Sequence, residues 1–274
     1  MQARNLERES RVASRIVIGL DTSPVARETL ALAARLASAT HTPLRGVFIR
    51  DENLLRLAEL PFACEVAFSG AVRSIDPSLM ARALKAQSDA ARNLLARIAA
   101  QAHVEWSFAE ERGRLFTRLA QAANAEDTLI LRQPAYASRE LARAVRAATH
   151  ESKADVLLLS RGHEAVFSPR TMMPVVAAVD PGTTSGEAAY LFASDLAQHM
   201  HMRCHRIAAR GWGVNEVPRS AREIGASLLV LNAGWFGADD EAAHLSRLAG
   251  CPVLLLGSER PGISAQPEAG ERTE

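Results

Sequence analysis

Two carboxylates stand where a ligand would be met. Asp21 follows the apolar run 15–20 and Asp180 follows the apolar run 174–179, so each is expected at the carboxyl end of a buried strand. Ligands of open α/β sheets bind in the crevice beyond such ends. A carboxylate there can hold a ligand. It can also cap a helix or close a turn by accepting backbone N–H bonds. The two roles are compatible, and both stay open. Thr22 and Ser23 follow Asp21 as candidate caps, with Pro24 suited to a first helical turn. Gly182 and Gly186 after Asp180 point to a turn of unusual dihedrals. Gly234 and Gly237 form a G-x-x-G, the spacing that lets backbone N–H groups approach an anion.

Other reactive side chains are weaker candidates. His199, His201, Cys204 and His205 make H-x-H-x-x-C-H, a tight set of metal-ligand types. It crosses an expected helix-to-strand junction and matches no common zinc spacing, so a solvent-exposed turn is the expectation. Cys64 lies in an apolar stretch and is expected to be a buried, inert thiol. Cys251 opens the closing strand and is expected in the core. Trp106 and Trp212 are expected to pack, while Trp235, inside the G-x-x-G, is the one expected to be exposed as a partner contact. The chain holds no G-x-S-x-G, H-E-x-x-H, Walker loop or G-x-G-x-x-G. An enzyme is therefore the weaker class.

Composition narrows the setting. Lys and Arg total 32 against 31 Asp and Glu, a net charge of +1, which gives no footprint for nucleic acid or an anionic membrane. Three separated cysteines make no disulfide framework. The apolar runs are of strand length, short of the ~20 residues a membrane helix needs. The first fifteen residues are polar and lack a signal-peptide core. A cytoplasmic setting is expected.

The elements that must position these residues alternate. Strands are expected at 15–21, 44–51, 103–113, 128–133 and 154–161, with helices at 24–39, 79–101, 114–124 and 137–150 between them. Residues 52–78 read as a short helix and an irregular excursion, interrupted by Pro61 and Gly70. The pattern then restarts: strands at 174–182, 202–211, 226–234 and 251–258 alternate with helices at 185–200, 217–225 and 240–250. Strands joined through helices imply parallel pairing with right-handed crossovers. The expected fold class is α/β, two tandem doubly wound parallel-sheet domains, the second shortened by one helix and one strand. The boundaries are a disordered arm at 1–13, domains at 14–161 and 174–259, a linker at 162–173 and a disordered tail at 260–274.

The strand followed by D-T-S-P and a helix, together with the closing C-P-V-L-L-L, resembles the universal stress protein family in its tandem form, an adenine nucleotide alpha hydrolase-like fold. The resemblance implies a nucleotide site near Asp21, Thr22, Ser23 and Val47 in the first half. In the second half it implies one near Asp180, Gly182, Gly234 and Gly237. It implies ATP or AMP as ligand and a G-x-x-G-(nine residues)-G-[S/T] phosphate loop after the fourth strand. It also implies that single domains pair through their last strands, a pairing a tandem chain can make internally. The sequence departs from this pattern. No glycine stands between Gln133 and Leu159, and Pro134 removes an N–H donor. Ten positions beyond Gly237 stands Arg247, and Asp239, Asp240 and Glu241 would repel a triphosphate by about a few kcal/mol. The expectation is a binding or regulatory module in stress response that works through a protein partner, with little or no ATP binding. Homodimerisation through residues 54–68 is open. The alternative is an adenine-nucleotide-binding stress protein that uses the second half.

Overall fold

The computed structural model describes residues 15–21, 23–51, 56–57, 60, 62–66, 69–134, 139–160, 174–213, 215–235 and 241–257. Thr22, Gly237, Asp239, Asp240, the linker, the arm and the tail lie outside the described residues.

The first strand, β1 (Ile16–Leu20), leads into α1 (Pro24–Thr40) and β2 (Leu44–Asp51). Ser23 caps α1 with its hydroxyl on the Ala26 N–H, and proline sits in the first turn, as the sequence predicts. A small ribbon follows, β3 (Cys64–Val66) against β4 (Val72–Ser74), then the long helix α2 (Pro77–Ala102). The ribbon replaces the irregular excursion expected there. Val66 and Val72 pair directly across it, a β-branched match that the interrupting Gly70, at φ 80°, permits by making the turn. Next come β5 (Trp106–Gly113), α3 (Leu115–Ala122), β6 (Thr128–Arg132), α4 (Arg139–Arg146) with a π-helical turn at Ala147–Glu151, and β7 (Asp155–Leu159). The remainder is β8 (Val175–Asp180), α5 (Thr184–His199), β9 (Arg203–Ala208), α6 (Val217–Glu223), β10 (Ala226–Asn232), a 3-10 turn at Ala233–Trp235, α7 (Glu241–Ala249) and β11 (Val253–Leu256).

Nine strands form one sheet in the order β5-β2-β1-β6-β7-β11-β10-β8-β9. Neighbours are parallel throughout, except at β7–β11, where Val253 meets Leu158 and Leu255 meets Val156 in antiparallel register. The sheet thus reverses direction once. The carboxyl ends of β1, β2, β5, β6 and β7 share one rim, and those of β8 to β11 share the opposite rim.

Helices cover both faces, as near-continuous apolar strands require. Ile16, Ile18 and Leu20 point to a core with Leu30 and Ala33 of α1, Leu95 of α2, and Ala189 and Leu196 of α5. Val17 points the other way, to Leu119 of α3, Leu141 of α4, Ala221 of α6 and Leu245 of α7. Alanine dominates the helix faces because its side chain lets a helix lie close on the sheet.

Several side chains lie where the sequence does not put them. Cys64 is exposed, because the ribbon carrying it stands outside the main sheet. Trp106 and Trp212 are each 38% exposed. Trp106 is on an edge strand and Trp212 follows the strand at the other edge. Trp235 is half-buried against the core instead of standing free. Cys251, by contrast, is fully buried as the sequence predicts, and burial pushes its thiol up to about 12.

Candidate functional site

The strand-end aspartate of the second half is held on all sides. Residues 176, 178 and 180 of β8 share the face that packs on α5, so Asp180 points toward that helix. Its Oδ1 accepts the Gly182 N–H at 2.8 Å, closing an Asx turn. Its Oδ2 accepts from Arg206 of β9, from Nε at 2.8 Å and Nη2 at 2.6 Å. Parallel pairing sets Arg206 opposite Ala178, one pleat back, so the guanidinium reaches forward to the strand end. The same guanidinium pairs with Glu187 of α5 and lies 4.7 Å from the Tyr190 ring centre. Asp180 is only 7% exposed. Burial alone would push its carboxyl up. The Gly182 N–H and the Arg206 charge outweigh that and hold it below its ordinary value.

The turn beyond Asp180 is built from glycines of two kinds. Gly182 has φ 81°, the left-handed region, and the Arg210 side chain crosses directly over it. Gly186 is different from the sequence reading. It lies inside α5, and its need is close approach: a Cβ there would stand 2.5 Å from Asp180 Oδ1 and 2.7 Å from Pro181 Cδ. Its N–H donates to the Thr183 hydroxyl, which caps α5.

A crevice opens at the same rim on the other face of β8. Val179, Thr183 and Ser185 line one wall, and Asn232, Gly234 and Trp235 line the other, around a volume of about 80 Å³. Asn232 Oδ1 accepts the Gly234 N–H at 2.8 Å, so the first glycine of the G-x-x-G serves an Asx turn. The structure thus brings Gly182, Thr183 and Gly234 to one rim with Asp180, but turns the Asp180 carboxylate away from the crevice. Small-molecule pockets run to roughly 300–1,000 Å³. This one is smaller.

The first half ends its strand on a different aspartate arrangement. Asp21 is exposed, and its Oδ1 accepts the Ser23 N–H at 2.7 Å. Arg132 at the end of β6 approaches its Oδ2 at 3.9 Å. Val47 is fully buried beneath α3, among Leu119 and Val17. Beyond β6 the buried Gln133 gives its N–H to the Leu159 carbonyl at 2.7 Å. Its side-chain oxygen accepts from Ser160 at 2.9 Å, and Ser160 meets Ser246 of α7 at 3.0 Å. These groups stitch the rim together where a phosphate loop would open. Asp21 and Asp180 lie on opposite rims and share no site.

The histidine-rich junction does not converge. His199 Nδ1 lies 2.7 Å from the Asp195 carbonyl, His201 makes the turn at φ 54°, and Cys204 is half-buried with its thiol pushed up by that burial. Among the described residues no cluster of three His, Cys, Asp or Glu could hold a metal ion. No described helix is long and apolar enough to cross a membrane.

Sequence reasoning missed Arg206, Glu187 and Tyr190. The signal existed only in register: among the arginines of 202–211, the β8–β9 pairing selects the one at 206.

The sequence matches no family model and no curated protein. Solved structures do match. A universal stress protein from Archaeoglobus fulgidus DSM 4304 aligns with a TM-score of 0.62 at 9% identity, covering 90% of this chain and 99% of that one. The fold is that of universal stress proteins. A protein of unknown function from Pseudomonas aeruginosa PAO1 aligns at 0.57 and 14% identity, covering 92% of this chain and 94% of the other. A candidate universal stress protein from Pseudomonas aeruginosa UCBPP-PA14 aligns at 0.55 and 16%, covering 92% and 95%. At such identities the universal stress protein fold carries over and residue roles do not.

Proposed function

We propose that this chain is a tandem universal stress protein-like module of the cytoplasm that acts in stress response by binding a regulatory protein partner. On this reading it binds little or no ATP. One observation carries this most: the Asp180 carboxylate is already engaged by Arg206 and the Gly182 N–H, and points away from the crevice. A ribose or adenine seeking that carboxylate would have to displace a charge-assisted pair, the stronger kind of hydrogen bond. The first half supports the same reading, because Gln133, Ser160 and Ser246 close the rim.

The second reading, an adenine-nucleotide-binding protein, is favoured by the crevice itself, whose walls carry the hydroxyls of Thr183 and Ser185 beside Gly234. Titration calorimetry on nucleotide-stripped protein with ATP, AMP and adenosine separates the two. The expected outcome is no heat at micromolar protein with any of the three. Micromolar ATP binding that is lost in Gly234→Arg would reverse the assignment.

A further inference from the structure

Exposed apolar side chains are not spread evenly. Of the ten large ones among the described residues, six fall between Leu57 and Leu79: Leu57, Leu60, Phe62, Val66, Val72 and Leu79. Phe62 is 76% exposed, Val66 70% and Val72 64%. The β3–β4 ribbon carries Val66 and Val72, and the other four flank it along the chain. Val66 faces Val72, and Cys64 faces Ser74, so these four share one face of the ribbon and none is charged. Residues 65 and 73 fall on the opposite face. Backbone bonds tie Leu60 to Leu57, Ala63 to Leu60 and Ile75 to Ala63, so the flanking residues travel with the ribbon. An isolated two-stranded ribbon is marginal in water unless something packs on it.

We propose that a second copy of this chain covers the ribbon, forming a two-fold dimer through the face of Cys64, Val66 and Val72. Three observations favour a second copy. An uncharged strip complements itself about a two-fold axis, since Val66 then meets Val72 of the partner subunit and the reverse. The six exposed side chains add up to roughly 500 Å² of apolar surface, the size of a monomer's largest patch, which is often a functional surface. Two such patches would bury roughly 1,000 Å², the size at which a specific dimer begins. Finally, the closing strands are unavailable for pairing between chains, because β7 and β11 are spent on each other. The remaining edges are guarded by charge: Arg50 and Arg45 pair with Glu110 and Glu111 along β5, and β9 presents the paired Arg206. The dimer requires nothing of the crevice and stands or falls separately from the proposed function.

Sedimentation velocity on the full chain tests it. The expected mass is twice 29.5 kDa at micromolar concentration. Val66→Glu with Val72→Glu places like charges face to face and is expected to weaken dimerisation by more than about a hundredfold, with the circular dichroism melt retained. A monomer at all concentrations up to 100-fold above micromolar would overturn the proposal. So would a dimer untouched by the folded double variant, or a monomer that sediments with neutral phosphatidylcholine vesicles.

Discussion

At the scale of single residues, Asp180 decides most. Its carboxylate joins three elements: the turn through Gly182, β9 through Arg206 and, through that arginine, α5 at Glu187 and Tyr190. Asp180→Asn keeps an acceptor for the turn and removes the charge. Its expected cost is about 1.5–3 kcal/mol at pH 7, the range for a hydrogen bond to a charged group. The pH dependence follows from the depressed folded pKa. Such a group stabilises fully above the unfolded value near 3.8 and loses that contribution as the pH falls through the folded value. Urea denaturation should therefore show a constant gap between the two proteins above about pH 5 that narrows as the pH falls below the unfolded value and through the folded one. The strand-end aspartates were legible in the sequence because an apolar run ending in Asp has few other uses. Their partners were not. Arg206 is an ordinary arginine until β9 is laid beside β8, and Gly186 looks like a turn glycine until α5 starts before it.

At the scale of elements, the β7–β11 junction matters most. It joins two parallel arcs by an antiparallel pairing and is locked by Asp155, whose buried Oδ1 accepts the Gly257 N–H at 3.0 Å. Gly257 passes so close to its neighbour that a Cβ would stand 2.3 Å from the Lys153 carbonyl oxygen. That oxygen belongs to backbone and cannot step aside. Gly257→Ala should therefore cost about 1–3 kcal/mol as overpacking, read as a lower melting temperature. The strands themselves were readable from apolar runs, and the long helix from its spacing. The ribbon at Cys64–Ser74 was not. Its two strands are three residues each, too short for alternation to show, and Cys64 in an apolar stretch passes for core.

At the scale of the whole molecule, both cores run the length of the sheet. One holds Ile16 together with Leu256, and the other holds Val17 together with Leu255. Neither core stops at the junction. Heating should then unfold the chain in one transition, with calorimetric and van't Hoff enthalpies equal. Two resolved transitions would mean that the halves are thermodynamically separate. The sequence shows the restart of the strand–helix pattern plainly, but a pattern along the chain carries no information on whether two arcs share one sheet.

The single reversal of the sheet has a consequence for what one ligand could reach. Asp21 and Asp180 end strands on opposite rims. One rim is stitched by Gln133, Ser160 and Ser246, and the other carries a small crevice. Two rims that face opposite ways cannot be spanned by one small molecule, so a molecule seated at either would leave the other open to water.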